Sequence, residues 1–480
     1  MTDRRAPADP VASLTADELV TITDGLFVSR SDRPILGAAV DSRAVEPGNL
    51  FVALPGERTD GHAFVGAAIA AGAAAVLVAQ PLADDVIAGH DVTVVRVADP
   101  LRGLQAVAAA WRARFDPLVV GITGSIAKTS TKEAVAAVLS SAMPTLRNEG
   151  NLNNEIGLPL TVLRLRSEHR AAVLEMGMYI GGEIAELARI GRPEIGVVTA
   201  VQQVHLSRIG TIEAVERAKG ELIEALPDDG VAILNADDQR VRAMASRTGA
   251  RSMTYGFAAD ADVGAESVVS RGADGMTFEL VAGTERRAVA IPGLGRLAVH
   301  NALAGAAVGL AAGLRLEEIG AALAHGWSAP HRGQLIRAGG ITVVDDSYNA
   351  SPGSVAAALE LLAGMPGRRI AVLGEMRELG DEHEAGHRRT GEAAAAIVDR
   401  LVVVGAEAAG IADGARGAGL SAAATSMVPD RDGARDVLLG DLRPGDVVLV
   451  KASRGVALDL LVDELVVALG GADGAAEDRT

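Results

Sequence analysis

Residues 118–132 read LVVGITGSIAKTSTK, and this stretch decides the fold of the region around it. The apolar run 118–120 is typical of a buried strand, and the small residues after it are typical of a tight turn. Residues 133–139 are compatible with a helix. A strand, a turn and a helix in this order expose backbone N–H groups at the positive end of the helix dipole. The pattern therefore predicts a phosphate-binding loop.

The loop predicts how a nucleoside triphosphate is bound. We expect Lys128 at the β- and γ-phosphates and the Thr129 hydroxyl on Mg²⁺. The ATP-binding residues of the loop are Gly124, Ser125, Ile126, Ala127, Lys128, Thr129 and Ser130. Glycine is expected before the lysine because it accepts a positive φ, but Ala127 stands there. A loop with a negative φ that suits alanine, and a turn that binds nothing, are the alternatives.

Lysine is scarce in this chain, which favours a functional role for the lysines that remain. It occurs only at positions 128, 132, 219 and 451, and the other 41 of the 45 basic residues are arginine. Arginine is a wide fork that stays protonated, whereas lysine is a compact charge whose amine can become neutral and nucleophilic. We expect Lys128, Lys219 and Lys451 to serve roles that arginine cannot fill. For Lys132, chance survival is an equal alternative.

Strand-like and helical segments alternate along the chain, which is typical of parallel α/β sheets. Residues 253–291 differ, because short β runs and turns there indicate an added antiparallel edge. The predicted fold class is α/β with three domains. These are a small N-terminal α/β substrate domain in residues 1–116, a central parallel-sheet phosphate-loop ATPase domain in residues 117–328, and a C-terminal Rossmann-like α/β domain in residues 329–480.

Bulk composition excludes several classes of protein. The net charge of −17 argues against a general binder of nucleic acid or of anionic membranes. The absence of cysteine excludes disulfides and thiolate metal sites. The longest apolar run, residues 65–78, is too short to span a bilayer and predicts a buried helix followed by a strand. With no recognisable signal peptide, we expect a cytoplasmic protein without membrane insertion.

Three further side chains suit a site beside the phosphate loop. Glu175 ends an apolar strand, and carboxylates at that edge of an α/β sheet suit a metal ligand. His205 follows the next strand, and Lys219 adjoins the apolar face of a predicted helix, 211–226. A neutral lysine amine can react with CO₂ to form a carbamate, an anionic oxygen ligand. The alternatives are a surface glutamate, a structural histidine and an ordinary helical lysine.

With these residues in place, the chain resembles the Mur ligases from about residue 41 to residue 455. The matching stretches include Asp41-Ser42-Arg43, GNLNNEIGLP at 150–159, EMG at 175–177, AKGE at 218–221, HNAL at 300–303, DDSYNASP at 345–352, GEMxELG at 374–380 and KASRG at 451–455. The stretch 151–159 looks like the one that separates the D-alanyl-D-alanine-adding ligases from their sister enzymes. The departures are Ala127 and the pair Gln202-Gln203.

The resemblance implies an ATP-dependent amide ligase that joins D-alanyl-D-alanine to UDP-N-acetylmuramoyl-tripeptide through an acyl phosphate, with Mg²⁺ and as a monomer. It implies catalytic roles for Lys128, Glu175, His205 and Lys219, with metal ligation by Thr129, Glu175, His205 and a carbamylated Lys219. It further implies nucleotide contacts from Asn301, Arg332 and Asp346. The implied substrate-binding residues are Ser42, Arg43, Asn151, Asn153, Asn154, Asn349, Ser351 and Lys451.

Other functions stay open at this point. A sister ligase that adds a different amino acid would share most motifs, although the stretch 151–159 argues against it. A folate-polyglutamate ligase would share the central chemistry but should lack the first domain. Ala127 motivates a nucleotide-binding protein that has lost catalysis. The third residue of the substrate peptide, lysine or diaminopimelate, is left undetermined.

Overall fold

The computed structural model describes residues 12–56, 59–202 and 209–470. Three separate β-sheets follow one another along the chain, with helices between their strands. This mixed α/β architecture confirms the predicted fold class. None of the described helices combines the length and the apolar character needed to cross a membrane.

The first sheet has five strands in the order β1-β5-β4-β3-β2, all parallel except the pair β1 and β5. The strands are β1 (Leu26–Ser29), β2 (Gly37–Ala39), β3 (Asn49–Val52), β4 (Ala75–Val78) and β5 (Thr93–Arg96). The helices are Ala16–Thr23, Val65–Ala70, Asp84–Ile87 and Pro100–Arg112. The predicted helix and strand within residues 65–78 are both present.

The helix Pro100–Arg112 joins the first sheet to the second. Asp99 caps its N-terminus by accepting from the backbone N–H of Leu101, and Pro100 occupies the first turn. Near its other end, Nε1 of Trp111 donates to the carbonyl of Leu165 at 3.2 Å. Buried side chains of both regions form one continuous apolar cluster around this helix. The first region therefore packs directly on the second.

The central sheet has nine strands in the order β14-β13-β12-β11-β10-β9-β6-β8-β7. The strands are β6 (Leu118–Thr123), β7 (Thr145–Arg147), β8 (Ala171–Glu175), β9 (Ile195–Val198), β10 (Val231–Asn235), β11 (Arg251–Gly256), β12 (Val263–Ser270), β13 (Met276–Ala282) and β14 (Glu285–Ile291). Pairing is parallel from β7 to β12 and antiparallel between β12, β13 and β14. The antiparallel edge thus begins at β12, about ten residues later than the sequence indicates.

Helices cover both faces of the parallel part of this sheet, so its strands are buried on both sides. The helices are Lys128–Ser140, Gly157–Val162, Glu183–Gly191, Ile212–Glu224, Gln239–Ala243, Gly295–Ala311 and Leu316–Ala324. β6 lies between β8 and β9, so residues that follow these three strands meet at one edge of the sheet.

The third sheet has six strands in the order β15-β16-β20-β17-β18-β19, and only β15 is antiparallel to its neighbour. The strands are β15 (Gln334–Ala338), β16 (Ile341–Asp345), β17 (Arg369–Gly374), β18 (Arg400–Val404), β19 (Thr425–Val428) and β20 (Val447–Lys451). The helices are Pro352–Ala363, His383–Ala395, Ala409–Gly417, Arg431–Asp441 and Leu458–Ala468, and they cover both faces.

Candidate active site

The turn between β6 and the helix Lys128–Ser140 has the shape of a phosphate loop. A Cβ on Gly124 would lie 1.8 Å from Oγ1 of Thr199, so only glycine lets the loop pass this close to the neighbouring strand. Nζ of Lys128 donates to the carbonyl of Gly124 at 2.7 Å. Burial lowers the pKa of Lys128; the charge of Glu175 opposes this effect and the charge of Arg332 adds to it.

Ala127 adopts the left-handed backbone conformation, with φ 63° and ψ 2°. The alternative in which the loop takes a negative φ that suits alanine is therefore wrong. For an L-residue with a Cβ this conformation costs on the order of 1 kcal/mol. The loop keeps the shape that glycine would favour and carries local strain at the residue before Lys128.

The loop after β9 supports the phosphate loop through several hydrogen bonds. The Ser125 N–H donates to the carbonyl of Ala200 at 2.8 Å, and Oγ1 of Thr199 donates to the carbonyl of Ile126 at 2.6 Å. The Gln202 N–H donates to Oγ of Ser125 at 2.8 Å. Gln202 therefore supports the loop through its main chain. Gln203 and His205 lie outside the described residues, so the metal role of His205 stays a prediction.

Glu175 ends β8 with its carboxylate buried beside this loop. Its Oε1 accepts a hydrogen bond from Nδ2 of Asn153 at 2.6 Å, and its backbone N–H donates to Oδ1 of Asn148 at 2.6 Å. Its Oε2 is buried and has no hydrogen-bond partner in the described part of the chain. An unpaired buried carboxylate oxygen is costly, and oxygen ligands of this kind suit a hard cation. The site thus fits Mg²⁺ at Oε2.

Lys132 has a structural place beneath the same loop. It is fully buried, its Nζ donates to the carbonyl of Asn148 at 2.7 Å, and it pairs with Glu133 at 2.8 Å. The segment that carries Asn153 is therefore tied to the phosphate-loop helix. The burial of Lys132 and its bond to Asn148 therefore favour a structural role over chance survival.

Lys219 lies in the middle of the helix Ile212–Glu224 and is only 2% exposed. Burial is the main cause that lowers the pKa of Lys219 well below its ordinary value, and the charge of Lys128 adds to the effect. Two residues later, Glu221 accepts hydrogen bonds from the N–H groups of Gly182 and Ala185 at 2.7 and 3.0 Å. These two bonds hold the helix in place. The lowered pKa makes the amine of Lys219 readily neutral.

Loops of the third sheet face the phosphate loop. Nζ of Lys451 donates to Oδ2 of Asp346 at 2.6 Å and to the carbonyl of Asn349 at 2.8 Å. The guanidinium groups of Arg332 and Arg454 lie over the ring of Tyr348, 4.1 and 4.8 Å from its centroid. Separately, the hydroxyl of Ser351 caps the helix Pro352–Ala363 by accepting from the Ser354 N–H.

Asn301 lies on the helix Gly295–Ala311, where its Oδ1 accepts from the hydroxyl of Thr131 at 3.1 Å. This bond ties the predicted nucleotide contact to the phosphate-loop helix. Beside it, Nε2 of His300 lies 3.1 Å from Oδ1 of Asn235, and the His300 ring packs against Tyr255 at 4.9 Å.

One cavity of about 1530 Å³ between the central and third sheets brings most of the predicted site together. The predicted residues that line it are Ser125, Ile126, Ala127, Lys128, Thr129, Ser130, Asn151, Asn153, Asn154, Glu175, Asn301, Arg332, Asp346, Asn349, Ser351 and Lys451. Gly124 and the buried Lys219 do not line it. Ser42 and Arg43 do not line it; Arg43 is 89% exposed and paired with Asp41.

Sequence reasoning missed several residues that shape the site. Thr199, Asn148 and His300 act through the contacts above, and Nδ2 of Asn235 donates to the carbonyl of Thr199 at 2.7 Å. The signal available was position, because Thr199 and Asn235 end or follow neighbouring strands. In the described ranges, no group of three or more histidine, aspartate or glutamate side chains could by itself hold a metal ion.

Comparison with known proteins agrees with this geometry. Three family models match the chain. They are described as "Mur ligase family, catalytic domain" (residues 34–148), "Mur ligase middle domain" (122–309) and "Mur ligase, glutamate ligase domain" (331–454). A UDP-N-acetylmuramoyl-tripeptide–D-alanyl-D-alanine ligase of Mycobacterium tuberculosis (strain ATCC 25618 / H37Rv) is 40% identical over 467 residues, covering 89% of this chain and 91% of the relative. The chain belongs to the Mur ligase family.

Further relatives of this Mur ligase match it over nearly their whole length. The enzyme of the same name from Escherichia coli (strain K12) is 39% identical and covers 94% of this chain and 98% of its own. A crystal structure of MurF from Acinetobacter baumannii superposes with a TM-score of 0.85 at 29% identity, covering 95% and 100% of the two chains. MurF ligase from Thermotoga maritima in complex with ADP gives 0.79 at 28% identity, covering 91% and 98%.

Proposed function

We propose that this protein is an ATP-dependent ligase that joins D-alanyl-D-alanine to UDP-N-acetylmuramoyl-tripeptide in the synthesis of a peptidoglycan precursor. The observation that carries the proposal is the meeting, in one cavity, of the phosphate loop, the buried carboxylate of Glu175 and the loops after β16 and β20. The names of the full-length relatives from M. tuberculosis and E. coli support the choice of substrates.

Each of the three predicted regions would bind a different substrate. Residues 1–116 would bind the UDP-sugar, with Ser42 and Arg43 as contacts outside the main cavity. Residues 117–328 would bind ATP, and residues 329–480 would present the dipeptide. Asn151, Asn153 and Asn154 line the cavity between the last two regions, where the tripeptide end has to arrive.

The reaction requires two anions to meet. The terminal carboxylate of the tripeptide attacks the γ-phosphate of ATP, displacing ADP and forming an acyl phosphate. The neutral dipeptide amine then attacks the acyl carbon, loses a proton and expels phosphate to form the amide. Lys128 neutralises charge on the phosphates in both steps. Arg332 and Asp346, on the third region, complete the nucleotide site, so closure of the two regions on ATP would assemble it.

The donor set fits Mg²⁺, since Oε2 of Glu175 is buried and unpaired among the described residues. Thr129 and Glu175 would hold one Mg²⁺, and His205 with a carbamate on Lys219 would hold a second. Bound there, Mg²⁺ supplies positive charge opposite the phosphate oxygens. The easily neutralised amine of Lys219 supports carbamylation, because only a neutral amine reacts with CO₂.

The proposal is tested by measuring ADP release and amide formation with ATP, Mg²⁺, UDP-N-acetylmuramoyl-tripeptide and D-alanyl-D-alanine. We expect both products in equal amounts and only when the dipeptide is present. Equal ATP turnover with and without the dipeptide would contradict the proposal. The nucleotide substrates suit a cytoplasmic enzyme, and sedimentation analysis would check the proposed monomer.

A further inference from the structure

Arg377 follows β17 and lines the cavity, although the family motif over residues 374–380 specifies no residue at this position. Its backbone N–H donates to Oγ of Ser453 at 2.9 Å, and its Nε donates to Oε2 of Glu375 at 2.8 Å. The side chain is half exposed. The main chain and the inner edge of the guanidinium are thus held in one orientation.

The guanidinium of Arg377 packs directly on Gly455, where there is no side chain. A Cβ on Gly455 would lie 1.9 Å from Nη1 and 2.5 Å from Cζ of Arg377, so any larger residue would displace the group. Neither Nη1 nor Nη2 makes a hydrogen bond to another residue in the described ranges. The two terminal nitrogens therefore form an open fork at the cavity wall, the geometry that binds a carboxylate with two parallel hydrogen bonds.

We propose that Arg377 binds the terminal carboxylate of the incoming dipeptide and so determines specificity for an unblocked C-terminus; this inference rests on the proposed function. The dipeptide carries an amine that must react and a carboxylate that must lose water on binding. A buried carboxylate needs a cationic partner. The Lys451 ammonium is held by Asp346 and the carbonyl of Asn349. Arg332 and Arg454 are stacked on Tyr348. Among the described residues, Arg377 uses only Nε on Glu375, so both of its terminal nitrogens stay open.

The sheet order places Arg377 at a suitable distance from the other predicted dipeptide contacts. Asn349 follows β16 and Arg377 follows β17, and β20 lies between these two strands. Two strand spacings amount to about 10 Å, and an extended dipeptide is about 7 Å long. The remaining roughly 3 Å is within reach of the Asn349 and Arg377 side chains, so a dipeptide between them can place its carboxylate at the Arg377 fork.

The test compares D-alanyl-D-alanine with D-alanyl-D-alaninamide, which lacks the carboxylate charge, in the full-length enzyme. We expect wild-type kcat/KM to fall about 10- to 100-fold on amidation, the usual value of hydrogen bonds to a charged group. In Arg377→Gln this discrimination should nearly vanish through a raised KM for the dipeptide, while the KM for ATP stays unchanged. Arg377→Lys, which keeps the charge without the fork, should discriminate to an intermediate degree.

Arg389→Gln is the matched control, because it removes an exposed arginine of the same region that pairs only with Glu382 among described residues. It should discriminate as the wild type does. Undiminished discrimination in both Arg377 variants would overturn the inference and leave the proposed ligase activity standing. A wild-type enzyme that couples ATP cleavage to neither dipeptide would instead overturn the proposed function, and this inference with it.

Discussion

Nδ2 of Asn153 lies 2.6 Å from Oε1 of Glu175 and holds this carboxylate with its other oxygen, Oε2, unpaired among the described residues. The two residues come from different segments, because Asn153 belongs to the loop after β7 and Glu175 ends β8. The pair thus links a loop predicted to bind substrate with a residue predicted to bind the metal. The amide of Asn153 orients the Glu175 carboxylate, independently of any contact that Asn153 makes with a substrate.

Removing this amide should weaken metal binding. In Asn153→Ala, Glu175 is free to turn, and we expect the Mg²⁺ concentration for half-maximal activity to rise about 10-fold or more, as for other groups that orient a metal ligand. Activity as a function of Mg²⁺ at saturating ATP measures this. An unchanged Mg²⁺ requirement with a raised KM for the tripeptide would instead indicate a substrate contact alone.

Ala127→Gly should tighten ATP binding. Glycine adopts φ 63° without the penalty that alanine bears, which is on the order of 1 kcal/mol. At about 1.4 kcal/mol per factor of ten, the KM for ATP should fall several-fold. The kcat should change little, because Lys128 and Glu175 are untouched. Steady-state kinetics of both forms decides the matter, and an equal or higher KM in the glycine variant would refute the expectation.

Lys219→Arg should lose activity. Arginine stays protonated and cannot form a carbamate, so it would place a positive charge where the metal needs an anion. We expect kcat to fall by about 100-fold or more, given that metal charge stabilisation is worth several kcal/mol. Thermal unfolding serves as the folding control. With ¹³C-bicarbonate, a carbamate signal should appear in the wild type and be missing from the variant; near-normal kcat would rule out the carbamate.

His387 should make stability depend on pH. Its Nε2 accepts from the Met376 N–H at 2.9 Å and its Nδ1 faces the carbonyl of His383 at 2.6 Å, so the folded protein requires a neutral ring. Burial lowers the pKa of His387, despite the opposing hydrogen bond to His383. The unfolded chain therefore binds the proton first, and the free energy of unfolding falls as the pH drops below about 6.5.

The expected slope is at most about 1.4 kcal/mol per pH unit for one proton. Denaturant unfolding at pH 5.5 and 7.5 measures it. His387→Gln can keep both hydrogen bonds without titrating and should lose this part of the pH dependence. His325→Gln, at an exposed histidine, is the control and should retain it. If the unfolding free energy changes with pH equally in the wild type and in His387→Gln, His387 is not the source of the pH dependence.

The sequence by itself determined the parts of this protein that depend on local pattern. Alternation of apolar runs and helical segments predicted the α/β fold class, and the apolar run 118–120 predicted a strand that the structure extends to residue 123 as β6. The small residues before Lys128 predicted the phosphate loop for the same reason. Burial on one face and local backbone geometry depend on residues that are neighbours in the sequence.

The tertiary structure alone decided which distant residues meet. No periodicity indicates that β20 lies between β16 and β17, yet this order sets Arg377 on Gly455 and near Asn349. It also decided that Lys132 supports Asn148. Hydrogen bonds and close approaches at strand ends depend on strand order and loop shape, and these form only when segments far apart in the chain pack together.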